Sequence, residues 1–405
     1  MGNYIIIAIP IFFILIGLEY WYGKRKNKQI YRFNDTITNL NIGIGSQVFS
    51  LLFNGLIIGG MISIYNNYAF FEQTGNKEWI ICILFYDFLY YWAHRWGHEV
   101  NFFWGAHGVH HQSEDYNLGV ALRQSWFHAL IAAFIFLPIP LLGFEPKVFL
   151  TAAGVGTLYQ FWIHTEAIDK LPRWIEFIFN TPSHHRVHHA KDKKYLDKNY
   201  AAIFIFWDRL FGTFMEEEER PTYGTVSELN SWNPTWANFR YYSEMFKIMR
   251  KADNIPDKFR VLFAKPGWTP KNMQDYEVPE VANKEKYDQR NPSLGIYVTI
   301  QFIVIVFGLL AYMAHFTELT LFYKISFATL IILSTMICGA IMEKKGWLNV
   351  VEYVRLIMAL TLLNTLYYYF YIDWFYVILI ITSLSFVSFT VWFTLTSRAL
   401  ISEMK

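Results

Sequence analysis

Apolar residues in this chain gather into long, nearly unbroken runs separated by short polar stretches. Runs of about 20 apolar residues match the length at which an α-helix crosses the hydrocarbon of a bilayer. They fall at 4–22, 43–64, 79–97, 126–143, 147–164, 294–315, 319–339, 347–371 and 374–396. The pattern predicts an all-α polytopic membrane protein with nine transmembrane helices. Pro138 and Pro140 interrupt the fourth run, and only Gly143-Phe144-Glu145-Pro146 separates it from the fifth. The pair 126–164 therefore reads as two spans or as a helical hairpin that does not fully cross. The first run has no basic segment before it and no small-residue cleavage site after it, so it reads as a retained helix.

Lys and Arg in the short loops set the orientation. Lys24, Arg25, Lys26, Lys28 and Arg32 follow the first helix and place 23–42 in the cytoplasm, whereas the loop 65–78 carries Lys77 alone and fits the outside. Counting on, residues 94–124 and 165–292 face the cytoplasm, with an outer N-terminus and an inner C-terminus. The stretch 165–292 is long and polar and holds 20 of the 35 Lys and Arg. It is expected to form a cytoplasmic cap of short helices and loops, with Glu216 to Glu219 as a solvated surface patch. Three regions follow: membrane helices over 1–78, a catalytic domain with its cap over 79–292, and a four-helix membrane region over 293–405.

Composition supports this class. The chain of 405 residues is 54% hydrophobic and 17% charged, against about 25% charged in a soluble domain. That excludes a disordered chain and a small disulfide-stapled domain. A net charge of +2 provides no basic field for nucleic acid. Cys82 and Cys338 both lie in apolar runs and read as free thiols.

The histidines carry the chemistry. Of twelve, eleven lie between residues 94 and 189. They come as His94-Arg-Trp-Gly-His98, then His107-Gly-Val-His110-His111, then His164 at the end of an apolar run, then His184-His185-Arg-Val-His188-His189. Residues three and four apart share a helix face. Each cluster can therefore aim two or three imidazoles at one point. Imidazole suits iron, zinc, copper and nickel. Ten rings (His94, His98, His107, His110, His111, His164, His184, His185, His188 and His189) exceed what one four-coordinate zinc takes and fit two metals with open positions. His128 and His315 stand alone and read as ordinary buried or hydrogen-bonded residues.

Two acids accompany them. Asp87 lies in the apolar run 79–97, seven residues and two helical turns before His94. An ionisable residue at membrane depth is functional by default, so Asp87 is expected to support the metals or the substrate pocket, the alternative being a hydrogen bond to Tyr90 or Tyr91. Glu99 follows His98 directly and points about 100° away from that ligand's face. It can orient a neighbouring imidazole or pair with Arg95 at i−4. Trp92, Trp96, Phe102, Phe103 and Trp104 around the first clusters read as interfacial aromatics or as part of the pocket.

The spacing His-x3-His, His-x2-His-His and again His-x2-His-His, borne here by His94/His98, His107/His110/His111 and His185/His188/His189, resembles the fatty acid hydroxylase and sterol desaturase superfamily of membrane non-haem di-iron enzymes. Further stretches are similar to its branch that oxidises alkylglycerol ether lipids: His98-Glu99-Val100-Asn101, Ser113-Glu114-Asp115-Tyr116-Asn117-Leu118, Ala121 to Ser125, Gln160 to Glu166, Asn180-Thr181-Pro182, Lys198-Asn199-Tyr200-Ala201, and Trp207-Asp208 through Thr213-Phe214. The likeness is close over roughly 80–270 and looser over the C-terminal helices. It implies two iron ions, O2 and tetrahydrobiopterin as electron donor, with Glu99 at a position important in the family. The implied reaction hydroxylates the carbon next to the ether oxygen, giving a hemiacetal that collapses to a fatty aldehyde and a glycerol derivative. The partners implied are a lipid from the bilayer and an electron donor.

Two other readings accompany this one. A sterol or fatty acyl hydroxylase or desaturase of the same superfamily would share the histidines. A histidine-lined metal transporter would spread ionisable residues through many helices, whereas here they gather at one face. The abundance of Ile, Lys and Asn points to an AT-rich genome, so the expected location is a bacterial inner membrane, or the endoplasmic reticulum in a eukaryote.

Overall fold

The computed structural model describes residues 2–71, 75, 77–273 and 292–403. The last part of the expected cap, 274–291, lies outside the described residues. Helices dominate, and among the described residues the only β pairings are isolated bridges, Phe179 with Phe204 and Ala190 with Tyr223. Two compact units divide the chain. The larger runs from Ile9 to Asn230 and resumes at Trp236 through the cap; the smaller holds the C-terminal helices with Ser231–Thr235.

In the larger unit α1 (Gly2–Arg25), which belongs to it from Ile9 onward, is followed by α2 (Phe33–Tyr68). At 36 residues, α2 extends about 54 Å, well beyond the ~30 Å of a bilayer's hydrocarbon. Its first turns explain the excess: Asn34, Asp35, Thr38, Asn39 and Asn41 are buried there, in a stretch too polar for lipid. Asn39 donates to Asp35 at 2.8 Å, and Ser113 donates to the same carboxylate. Higher up, Gly45 lets the Trp126 ring lie against the α2 backbone, where a Cβ would come within 2.2 Å of Trp126 Nε1.

The next elements carry the histidines. α3 (Lys77–Glu99) and α4 (Asn101–His111) are joined by the single extended residue Val100 (φ −117°, ψ 121°). That break folds α4 back against α3. Three short helices follow, α5 (Leu118–Ala121), α6 (His128–Ile135) and α7 (Pro138–Leu141), before α8 (Pro146–Ile163). α3 and α8 pack through a core that includes Cys82, Tyr86, Phe136, Val148 and Ala152. The cap contains α9 (Arg173–Ile178), α10 (Pro182–His188), α11 (Phe206–Leu210), α12 (Pro234–Lys251) and α13 (Ile255–Phe263).

The smaller unit comprises α14 (Pro292–His315), α15 (Leu321–Met342), α16 (Leu348–Phe370) and α17 (Phe375–Glu403). Consecutive helices pack together and α17 returns to α14. A buried ion pair, Arg355 with Glu352 at 2.6 Å, lies inside it. Glu343, at the end of α15, accepts from Ser231 and from the backbone N–H groups of Trp232 and Asn233. Neither cysteine forms a disulfide, and both are buried.

Six helices among the described residues are long and apolar enough to cross a membrane: Ile7–Arg25, Phe33–Tyr68, Gly295–His315, Leu321–Met342, Leu348–Phe370 and Ile372–Thr396. The expected spans 79–97, 126–143 and 147–164 fall outside this set. α3 carries Lys77, Glu78, Asp87, Arg95 and Glu99 along with its histidines. The stretch 126–143 breaks into α6 and α7; its apolar part, His128–Leu141, would extend only ~21 Å even as one helix, which favours the hairpin that does not cross.

Candidate metal centre

Four elements converge on one buried place. α3 supplies His94 and His98, α4 supplies His107, His110 and His111, the C-cap of α8 supplies His164, and α10 with its C-cap supplies His185, His188 and His189. Nine rings sort into two groups, His94, His98, His107, His111 and His188 in one, and His110, His164, His185 and His189 in the other. Within each group one nitrogen per ring lies within 4.8 Å of all the others, and all nine residues are buried. Gly97 makes room for this: a Cβ there would meet the His107 ring at 3.2 Å.

The proton positions follow from the hydrogen bonds. His94 Nδ1 lies 2.7 Å from the Tyr200 carbonyl, His110 Nδ1 2.9 Å from that of Arg123, His164 Nδ1 2.6 Å from that of Gln160, and His188 Nδ1 3.0 Å from that of Lys198. A carbonyl only accepts, so these four Nδ1 atoms carry the proton and, in neutral rings, each Nε2 presents a bare lone pair. Burial keeps the rings neutral, pushing His110 down to about 4 and His188 to about 3. Yet His110 Nε2 and His164 Nε2 stand 3.1 Å apart. Two lone pairs at that distance repel unless a cation binds both.

The other spacings agree. His94 and His111 each place Nε2 3.0 Å from His107 Nε2, and His185 places its Nε2 3.0 Å from that of His164. A metal with M–N bonds of about 2.1 Å sets adjacent ligand nitrogens about 3 Å apart at right angles. His98 Nε2, His188 Nε2 and His189 Nε2 are buried with no hydrogen-bond partner, as ligand nitrogens are. The donor set fits two metal ions, one per group.

The sequence model of the Fatty acid hydroxylase family matches residues 79–213, the segment that holds all nine rings. Over 373 residues the chain is 35% identical to the alkylglycerol monooxygenase of Homo sapiens, covering 89% of this chain and 82% of that protein. The enzyme of the same name from Xenopus tropicalis is 34% identical over 374 residues, with the same two shares. The chain belongs to the alkylglycerol monooxygenase family. A shorter likeness, 31% over 139 residues, reaches an ornithine lipid hydroxylase of Rhizobium tropici and covers 33% of this chain and 41% of that one. No solved structure matches. As a member of this family the protein is an oxidoreductase, integral to the membrane and metal-binding.

The remaining expected site residues lie around the two groups. His184 is in neither: it sits one residue before His185, about 100° round the helix, and turns its Nε2 toward Glu176 at 3.9 Å. Asp87 is fully buried and accepts from the backbone N–H of Ile203 (2.8 Å) and Phe204 (3.2 Å) and from the Trp207 indole (3.0 Å); neither Tyr90 nor Tyr91 is its partner. Asp208 grips the same loop by accepting from Tyr200 and Ala201 N–H at 2.7 and 2.9 Å. The two acids fix the Tyr200 carbonyl that orients His94. Glu99 accepts from Arg95 Nε at 3.2 Å; the carboxylate facing His98 is Asp197, 3.9 Å from Nδ1. His128 lines an apolar pocket and His315 pairs with Glu318 at the surface.

Several supporting residues escaped the sequence reading. Arg123 is buried and donates to Val109 O, Asn39 Oδ1 and Gln112 Oε1, while its own carbonyl holds His110. Arg186, between His185 and His188, is fully buried against Glu217. The expected solvated run Glu216–Glu219 is thereby corrected at one position: Glu217 is 4% exposed because it neutralises Arg186. Trp104 packs 5.0 Å from His98, so it belongs to the site, whereas Trp96 and Phe102 are exposed.

Asp87→Ala leaves two backbone N–H groups and an indole N–H without their acceptor, each costing about 1–3 kcal/mol when buried. The expected result is a folded but less stable protein whose metal affinity falls by about 10- to 100-fold, because the carbonyl behind His94 loosens. Thermal unfolding and metal titration check this; wild-type metal affinity would remove Asp87 from the support of the site.

Proposed function

We propose that the protein is a di-iron monooxygenase that uses O2 to hydroxylate the carbon next to the ether oxygen of alkylglycerol lipids. The observation that carries this reading is the pair of adjacent buried groups of five and four imidazole nitrogens, one of which opens on an apolar pocket. The family relationship supplies the substrate class. Bound iron would supply the redox chemistry with O2 that an unactivated C–H bond requires and that zinc lacks.

The chain's own residues hold, orient and exclude. His94, His98, His107, His111 and His188 would hold one iron, and His110, His164, His185 and His189 the other. The space at His94 and His107 is small, about 30 Å³, and is walled by Tyr90, Phe103, Ile131 and Phe136, an apolar surface able to exclude bulk water whose walls would have to part to admit an alkyl chain. One oxygen atom enters the lipid and the other leaves as water, with two electrons and two protons supplied by tetrahydrobiopterin. The hydroxylated carbon is a hemiacetal, which collapses to fatty aldehyde and glycerol derivative. The basic loop Lys24–Arg32 and the Lys-rich cap support a cytoplasmic location for the site.

Glu99 is proposed to act on the site beyond its ion pair with Arg95. An exposed pair alone is worth under about 1 kcal/mol, so Glu99→Gln separates the roles. It is expected to fold and hold metal normally while losing about tenfold or more in turnover. Turnover near the wild-type rate would reduce Glu99 to the ion pair.

The function is tested by lipidomics on cells making the active protein or none, fed a labelled alkylglycerol. Loss of the ether with formation of labelled fatty aldehyde is expected. Intact ether with oxidised sterol or acyl chains would move the protein to the hydroxylase or desaturase reading.

A further inference from the structure

The cap helix α13 (Ile255–Phe263) has two unlike faces. Ile255, Phe259 and Phe263 are 68%, 61% and 68% exposed. Spaced four apart, they fall within about 80° of one another and form one apolar stripe about 12 Å long. Lys258 and Arg260 stand about 100° to either side of the middle of that stripe, and Val261 lies on the opposite side of the helix. Val261 is fully buried. The helix is fixed by its inner face and its ends. Asn254 caps the N-terminus by accepting from the Asp257 N–H at 2.8 Å. Asn101, the first residue of α4, donates its side-chain amide to Val261 O at 2.7 Å and its backbone N–H to Ala264 O at 2.9 Å.

We infer that α13 is seated in a phospholipid leaflet, with its stripe in the acyl edge and the flanking cations at the phosphates. The inference stands apart from the proposed function. Position, charge and area select this occupant. α2 passes from its polar start to its lipid-crossing part at Ile42, and Ile42 packs in one buried cluster with Val109 of α4 and Ala237 of α12. α4 and the start of α12 thus stand at the edge of the hydrocarbon, and α4 holds α13. Between Met245 and Lys265 the chain carries six cations, Lys247, Arg250, Lys251, Lys258, Arg260 and Lys265, against two acids, Asp253 and Asp257. Long basic side chains beside an apolar stripe lay their stems along it and reach phosphates with their heads. Three side chains exposed by about two-thirds offer on the order of 400 Å², about half of the ~800 Å² per partner that a stable protein interface buries. An interfacial helix needs only such a narrow apolar face. A leaflet that holds α13 also holds Asn101, and with it the helix of His107, His110 and His111, against the membrane.

The test places a fluorophore on the stripe. Cys82 and Cys338 are buried, so a label enters only at Phe259→Cys or, in a second variant, at Phe263→Cys. Asp253→Cys, exposed just before the helix, is the control. The metal-loaded protein is reconstituted in phosphatidylcholine nanodiscs with and without lipids that carry a nitroxide near the headgroup end of the acyl chain. The nitroxide lipids are expected to lower the emission of both stripe labels by at least about twofold, and aqueous acrylamide to quench the label at 253 more strongly than either. Stripe labels open to acrylamide and untouched by the nitroxide lipids overturn the inference. Energy transfer between donor- and acceptor-labelled copies in one disc, without quenching by lipid, also overturns it and makes the stripe a surface for a second copy. Oxidation of a sterol or acyl lipid in place of an alkylglycerol would sink the proposed function and leave the seat of α13 standing, since emission and not turnover is read.

Discussion

His110→Ala and His185→Ala are each expected to lower turnover by at least about 100-fold and to lose about half of the bound metal. Both residues belong to the four-membered group, which has no spare ligand. His110 Nε2 and His185 Nε2 stand 3.1 and 3.0 Å from the same atom, His164 Nε2, so either deletion opens a position next to it. Alanine there also leaves a void among buried rings that only water can fill. Metal analysis and turnover on the same preparation separate the two effects. Full activity in either variant would end the metal assignment. His184→Ala serves as the neighbouring control: its ring points to Glu176 and away from both groups, so the bound metal is expected to stay at the wild-type level.

Arg186→Met is expected to destabilise the protein by about 3–5 kcal/mol, the cost of leaving a buried charge without its partner. The guanidinium is fully buried and makes a two-pronged bond to Glu217, Nε to Oε1 at 2.9 Å and Nη2 to Oε2 at 2.6 Å. It also donates to the carbonyls of Thr165, Ile168 and Asp169, the turn that follows His164. One side chain on α10 therefore ties the last histidine cluster to the loop that ends the helix of His164. With methionine in its place the Glu217 carboxylate keeps only Arg220, at 3.4 Å. The double variant Arg186→Met with Glu217→Leu is expected to regain much of the loss, because no buried charge remains. Denaturant unfolding in detergent reads the series. A double variant as unstable as the single one would mean that the carbonyl contacts, and not the ion pair, hold the turn.

The histidine groups were legible in the sequence because helical spacing alone brings residues three and four apart to one face. His184, four residues before His188, satisfies the same spacing, yet its ring turns to Glu176 and lies in neither group. What fixes the rings was mostly illegible. The acceptors for His94, His110, His164 and His188 are backbone carbonyls, which any residue type supplies. Asp87 stood out as an acid in an apolar run, but its partners lie 116 to 120 residues further on. Glu217 looked like any member of an acidic run until Arg186 was placed beside it. The polar start of α2 was readable as non-membrane, while its burial by Ser113 and Arg123 depends on the chain after α4 folding against it.

The central claim, oxygen insertion beside an ether oxygen, is tested most directly by isotope. Purified, iron-loaded protein is given a 1-O-alkylglycerol, tetrahydrobiopterin and ¹⁸O2, and the aldehyde is trapped at once by reduction to the alcohol. Hydroxylation of the carbon next to the ether oxygen, followed by hemiacetal collapse, places one ¹⁸O in the trapped fatty alcohol and none in the released glycerol. Label in the glycerol, an unlabelled aldehyde, or an intact ether under these conditions would contradict the account.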